Sequence, residues 1–267
     1  MPQNHLILTF DTEEFDLPTE YGIAQTKEEQ LELGKKGTEV VLKILEKYNL
    51  TATFFITGYF AKHNKDLIKN IAQHHEVALH GSKHSDDYAN MHPKEAEECL
   101  KKARREVEKI IKKPILGFRA PRFQHPPLAV IKAAGFTYDS SLHPTFVPGR
   151  YNNLSKPRTP FRNDALIEFP ISVSPLIRLP FSWIWFRKLP LIYTTLNSRA
   201  TLASTHLLHL YFHPWEFIDV PKKNAKIASI LTNTGKPMIK KFEHYLDWCR
   251  RKKVVALTIE DYLKKKR

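Results

Sequence analysis

Cysteine is scarce in this chain, with only Cys99 and Cys249 among 267 residues. A disulfide framework and a four-cysteine zinc site are both excluded, and the usage is that of a reduced, cytoplasmic protein. Long apolar runs are missing too. The longest stretch free of Asp, Glu, Lys and Arg, from Ala200 to Trp215, carries three histidines and a proline. That is a poor match to about 30 Å of hydrocarbon, so no spanning helix is expected. At the N-terminus Leu6-Ile7-Leu8 meets Asp11, Glu13 and Glu14 almost at once, unlike the basic and then apolar plan of an export signal. Internal repeats and low-complexity linkers are absent. Acidic residues fall short of basic ones, 28 against 42, which leaves a formal charge of +14. The surplus favours anionic partners such as phosphates, acidic glycans or a lipid surface without choosing among them. No zinc-finger or RNP-like motif accompanies the charge, so nucleic acid is not an expected partner.

What is present is a chain long enough for one sizeable core, with 42% hydrophobic residues, and an alternation of short apolar runs with longer amphipathic ones. Strands are expected at His5–Phe10, Thr51–Thr57, Glu76–Leu79, Ile115–Phe118, Phe136–Tyr138, Leu207–Phe212 and Val254–Leu257. Helices are expected at Gly37–Tyr48, Lys62–His74, Pro93–Lys112, Pro127–Ala134, Pro237–Lys252 and Ile259–Lys265, with turns from Asp139 to about Asn163. Such βα repetition gives a parallel α/β sheet, either a barrel or doubly wound. Asp11, Glu13, His80, His84, Arg119, Asp139 and His213 fall at or just after the ends of separate strands. In a parallel barrel those ends share one face, where active sites are built.

Strand alternation points Asp11 and Glu13 to the same side. His80 and His84 stand at i and i+4, a spacing that lets two imidazoles hold one divalent metal together with a carboxylate. Arg119 leaves a strand end where it can pair with a buried carboxylate and keep it ionised. His213 closes an apolar strand and is a candidate general acid. Each cluster alone also fits a plainer reading: a solvated acidic loop, a surface histidine pair, a turn arginine, a satisfied strand-end histidine.

In order along the chain, Thr9-Phe10-Asp11, His80-x-x-x-His84, Arg119-x-Pro121, Asp139-Ser140-Ser141 and His213 resemble the motif series of the polysaccharide deacetylases. This is the NodB-homology or carbohydrate esterase family 4 group, and the resemblance covers Leu6 to about Asp219. Phe118-Arg-Ala-Pro121, Tyr138-Asp-Ser-Ser141 and Phe212-His-Pro-Trp-Glu216 resemble the branch linked to cell-surface polysaccharide biosynthesis. The resemblance implies a distorted (β/α) barrel with fewer than eight parallel strands, here one catalytic domain over residues 1–267. It implies a divalent metal, usually zinc with cobalt or nickel able to serve, and hydrolysis of an N-acyl bond, foremost the N-acetyl group of an amino sugar. By the same resemblance Asp11 would be the base, His80 and His84 metal ligands, Arg119 the partner of Asp11, His213 the acid, and Asp139 a residue that orients or tunes a group in the pocket. The common pattern has two adjacent aspartates, whereas Thr12 follows Asp11 here. Some branches place the metal-binding carboxylate two positions after the base, which makes Glu13 the third ligand. A deformylase or ureide C–N hydrolase with the same site, and a metal-free binding module, are the competing readings.

One segment is left over. Phe169 to Leu196 contains Leu179-Pro-Phe-Ser-Trp-Ile-Trp-Phe-Arg-Lys-Leu-Pro190, too apolar for a solvated loop. It reads as an insert packed over the barrel or a dimer contact. The sharper expectation takes Trp183 and Trp185 beside Arg178, Arg187 and Lys188 as a water–lipid interface, making a peripheral membrane enzyme for a lipid-linked saccharide.

Overall fold

The computed structural model describes residues 2–163, 166–221 and 225–266. Strand β1 (His5–Thr12) is buried along its length apart from His5, as a near-continuous apolar run requires when both faces of a parallel sheet are covered. Then come β2 (Thr53–Ile56), β3 (Glu76–Leu79), β4 (Gly117–Phe118) and β5 (Tyr138–Asp139), and a separate antiparallel hairpin of β6 (Phe146–Val147) and β7 (Tyr151–Asn152). The last four are β8 (Phe161–Asn163), β9 (Leu166–Glu168), β10 (Leu207–Phe212) and β11 (Val255–Leu257). Among the described residues one curled sheet runs β10-β1-β2-β3-β4-β5-β9-β8, parallel throughout except between β8 and β9. β11 pairs with the opening residues of β1 and β2 with its closing ones, so the two succeed each other along one edge. The path therefore carries fewer than eight parallel staves, in agreement with the expected distorted barrel. Its open side is bridged after β9, where Ser172 N–H donates to His209 O at 2.9 Å and His209 N–H donates to Ser172 Oγ at 2.8 Å.

Period-two alternation sorts β1 cleanly. Leu6, Leu8 and Phe10 join the core beneath the helices with Phe54, Leu79, Phe118 and Phe212. Ile7 enters a second cluster inside the barrel with Phe55, Ala78, Tyr138 and Phe169. Thr9 and Asp11 continue the inward series of Ile7, so the barrel interior passes from apolar to polar toward the strand ends.

Local boundaries differ from expectation for identifiable reasons. The helix expected from Gly37 begins at Lys27, because the Thr26 side chain accepts from Glu29 N–H while Glu29 accepts from Thr26 N–H, a reciprocal cap that fixes an earlier start. The helix expected over Lys62–His74 is two, Gly58–His63 and Lys65–His74, broken at Asn64, whose side chain donates to Phe60 O. The turn-rich region from Asp139 includes β6, β7 and β8. The apolar insert holds helix Trp183–Lys188 and the first part of helix Leu191–Thr205, with Phe169, Ile171, Val173, Phe181 and Phe186 buried. No described helix is long and apolar enough to cross a membrane, and Cys99 and Cys249 are both free thiols.

One helix sets the height of the site. On Lys27–Tyr48, Gly34 lies against the backbone of Glu13 and Gly37, one turn on, against that of Pro214. A Cβ at either would collide first with main chain, at Gly37 with main chain alone. Gly37→Ala should therefore lower stability by about 1–3 kcal/mol, read as the urea midpoint, and displace the segment carrying His213. A variant of unchanged midpoint with an unshifted His213 resonance would contradict this packing.

Candidate active site

Asp11, Glu13, His80, His84 and His213 line a single cleft of about 330 Å³, together with Phe15, Trp183, Tyr211 and Trp215. The expected convergence of strand ends is realised: Asp11 belongs to β1, His80 follows β3 and His213 follows β10. Glu13 comes directly after β1, still in phase with Asp11.

Arg119 sits behind the cleft, wholly buried. One terminal nitrogen donates to Asp11 Oδ1 at 2.6 Å and Thr9 Oγ1 at 3.0 Å. The other donates to Ser140 Oγ at 3.0 Å and His209 Nε2 at 3.1 Å, and Nε donates to Ser140 O at 3.0 Å. All five N–H groups are thus used, and the guanidinium lies 4.0 Å from the centre of the Phe55 ring. His209 can accept because its Nδ1 donates to Pro170 O; burial and then the Arg119 charge keep it neutral, its pKa far below the usual value. Burial works against an ionised Asp11, but Arg119 first, then His80 and His213, hold its pKa below the ordinary carboxylate value.

The two cleft histidines are oriented from behind. His80 Nδ1 donates to Arg119 O at 2.8 Å, and His84 Nδ1 donates to Asp16 Oδ1 at 2.5 Å. Their Nε2 atoms both turn to Glu13 Oε2, at 3.1 and 3.6 Å. That oxygen is buried with no hydrogen-bond partner. Donor atoms placed 2.0–2.2 Å from a tetrahedral zinc lie about 3.3–3.6 Å apart, so this trio, the first of the two metal-capable clusters among the described residues, fits a divalent ion. The carboxylate and carbonyl behind the imidazoles are the outer shell such a site needs. Burial opposes charge on His84, yet Glu13 and then Asp16 push its pKa up to about 9; the same negative field favours a cation there.

His213 stands opposite, between the rings of Trp215 and Trp183 at 5.3 and 5.5 Å. Glu216 Oε1 accepts its backbone N–H at 2.7 Å and faces Nδ1 at 3.4 Å, while Glu216 Oε2 accepts from Arg187 Nε at 2.5 Å. Burial would lower the His213 pKa; Glu216, with Glu13 and Asp11 behind it, raises it above the usual value. The cleft so combines an ionised carboxylate, a metal-capable trio and a histidine biased toward its protonated form.

One expected residue acts from outside the cleft, and one expected face turns elsewhere. Asp139 does not reach the cleft: it accepts from Ser141 N–H at 3.0 Å and Ser141 Oγ–H at 2.7 Å, beside buried Glu168. The turn it holds supplies Ser140 to Arg119. Trp183 and Trp185 wall the cleft, and Arg187 is buried against Glu216, so these residues do not form an outward lipid face. Thr9, Asp16, Ser140, His209 and Glu216 support the site in ways the sequence alone does not assign. Of these only Glu216 carries a local signal, an acid three residues after His213 with Pro214 between, the pattern of a short capped turn.

With the geometry in hand, comparison with known proteins gives the family. A polysaccharide deacetylase model matches residues 1–138, and one for a domain of unknown function, DUF3473, matches 140–261; the chain belongs to the polysaccharide deacetylase family. The sheet runs through the division, since β5 pairs with both β4 and β9. The chain is 32% identical over 117 residues to the peptidoglycan deacetylase-like protein FGM2 of Gibberella zeae, covering 41% of this chain and 33% of that one. It is 33% identical over 119 residues to a peptidoglycan deacetylase of Helicobacter pylori, covering 43% and 40%. It therefore spans about a third to two-fifths of the curated relatives it matches. The fold is shared with the solved structure described as a probable polysaccharide deacetylase from Pseudomonas aeruginosa, at 15% identity, TM-score 0.67 and coverage of 96% and 88%. It is shared too with Puue allantoinase, at 13% identity, TM-score 0.66 and the same coverage.

Two measurements follow from the buried charges. Replacing Glu216 by Gln removes the carboxylate that raises the His213 pKa, so the NMR titration of His213 should move to lower pH; an unmoved titration would refute that pairing. Glu168, buried beside Asp139, has its pKa raised, first by burial and then by Asp139. A carboxyl raised above its unfolded value near 4.5 costs stability progressively as pH rises beyond that value. Glu168→Gln keeps the neutral, hydrogen-bonding form, so its denaturant midpoint should gain on the parent between pH 5 and pH 9, and a gap that stays flat or narrows would contradict the assignment.

Proposed function

We propose that this chain hydrolyses the N-acetyl group of an amino sugar in a polysaccharide or glycan precursor, as a metal-dependent deacetylase. The observation that carries the reading is Glu13 Oε2, buried without a partner and faced by the Nε2 atoms of His80 and His84. These three residues would hold the ion; two nitrogens and an oxygen suit zinc, with cobalt or nickel able to serve. A bound divalent ion would supply Lewis acidity toward the acyl oxygen and bring the pKa of water from about 15.7 toward about 7.

The remaining work falls to the chain. Asp11, kept ionised by Arg119, takes the proton of the attacking water as its oxygen bonds to the acyl carbon. His213, charged through Glu216, delivers a proton to the nitrogen as the C–N bond breaks, giving acetate and a free amine. Aromatic walls at Phe15, Trp183, Tyr211 and Trp215 suit the apolar face of a pyranose ring and exclude water from the reacting atoms.

The test is acetate release from N-acetylglucosamine oligosaccharides with zinc or cobalt added. Asp11→Asn and His213→Ala should each lower turnover by about 10²–10⁴-fold, and His80→Ala with His84→Ala should remove about one metal per chain by elemental analysis. Release of formate, or turnover of a ureide, without acetate would move the substrate class. Undiminished turnover in both single variants would defeat the acid–base assignment, and metal content unchanged in the double variant would defeat the ligand assignment.

A further inference from the structure

Away from the cleft, bare aliphatic side chains gather on two neighbouring loops. Leu176 is 95% exposed and Ile177 71%, at the tip of a loop whose stem is the bridge between Val173 and Pro180. Leu179 is also exposed, and so are Phe146 and Leu154 on and beside the hairpin of β6 and β7. The loops are stitched together. Thr145 Oγ1 donates to Arg178 O at 2.7 Å, Arg178 Nη1 donates to Lys156 O at 2.6 Å, and Asn153 N–H donates to Thr145 O at 2.9 Å. Leu176 and Arg178 have φ of 64° and 58°, left-handed conformations that side-chain-bearing residues avoid. The tip is therefore held outward by its backbone, not left there by slack.

Cations frame this apolar rim. Arg150, Lys156, Arg158 and Arg178 belong to the same two loops, and among the described residues no carboxylate lies within ion-pair distance of any of them. Arg158 also keeps one terminal nitrogen buried without a partner. Aliphatic tips amid cations that make no ion pair among the described residues are a mixture suited to the boundary of an anionic bilayer. The rim adjoins the cleft, since Val147, Arg150 and Tyr151 of the same hairpin line it.

We propose that this rim docks on a membrane surface bearing anionic headgroups, Leu176 and Ile177 entering the acyl boundary while Arg150, Lys156, Arg158 and Arg178 meet headgroup phosphates. Docking turns the cleft mouth toward whatever saccharide is carried on that surface, and it stands independently of the hydrolase reading.

Co-sedimentation with phosphatidylcholine vesicles, with and without phosphatidylglycerol, tests it. The parent chain should pellet only with the anionic vesicles, and high salt should release it. Leu176→Ser with Ile177→Ser should lower the bound fraction about tenfold, with an unchanged circular dichroism spectrum and urea midpoint. Ile192→Ser with Leu196→Ser, which removes exposed aliphatics elsewhere, should bind as the parent does. Equal recovery in the supernatant with and without anionic lipid would overturn the proposal. So would a tip variant that pellets like the parent, which would mean adsorption by net charge alone. A dimer in sedimentation velocity that depends on Leu176 and Ile177, without vesicle binding, would overturn it in favour of a second copy of the chain.

Discussion

A guanidinium without exposed surface persists in a protein core only if its charge is balanced and every N–H finds an acceptor, and Arg119 meets both conditions through residues drawn from the whole barrel. Thr9 and Asp11 come from β1, Ser140 from the turn after β5, and His209 from β10. Its carbonyl, pointing the other way, accepts from His80. A single residue thereby ties the ionisation of Asp11 to the orientation of a metal-capable imidazole. Asp139 and Glu168 belong to the same construction one layer further out, where they fix the turn that offers Ser140.

Charge distribution follows a second logic. A chain of +14 gathers Asp11, Glu13, Asp16 and Glu20 around one cleft, with Arg122 paired to Glu20 and Arg150 at its rim, so acidic groups surround the two cleft histidines. The inner field draws a proton or a metal to His84, while Glu216, itself held by Arg187, biases His213 toward its charged form. The outer surplus is left for surfaces such as the rim of Arg150 and Arg178. Helix Lys27–Tyr48 ties the two halves of the cleft mechanically, because Gly34 and Gly37 let it press on Glu13 and Pro214 at once.

Much of this was legible because strands announce themselves. The apolar runs of β1, β3 and β10 end in polar residues, and a parallel barrel gathers such ends on one face, so the sequence alone groups Asp11, Glu13, His80, His84 and His213. Alternation alone put Glu13 in phase with Asp11 despite Thr12. Residues that act through others were not legible: His209 reads as one polar interruption of an apolar strand, and Asp16 as one more acid in an acidic run. Their partners lie tens to hundreds of residues away, as with Asp16 and His84 or Thr9 and Arg119. Trp183 and Trp185 show the converse limit. Composition marks an unusual segment, but no periodicity encodes which of its side chains face the cleft and which face outward.

The way β1 is flanked bears on how the molecule assembles. Its edges are completed by β10 and β11, with His5 opposite both Leu207 and Val255, while only its closing residues pair with the nearby β2. β1 thus pairs with strands that lie about 200 and 250 residues further along the chain, and such distant pairings make for slow folding. Until those partners are in place, the aliphatic segment from Leu6 to Phe10 is a hazard for association with other chains.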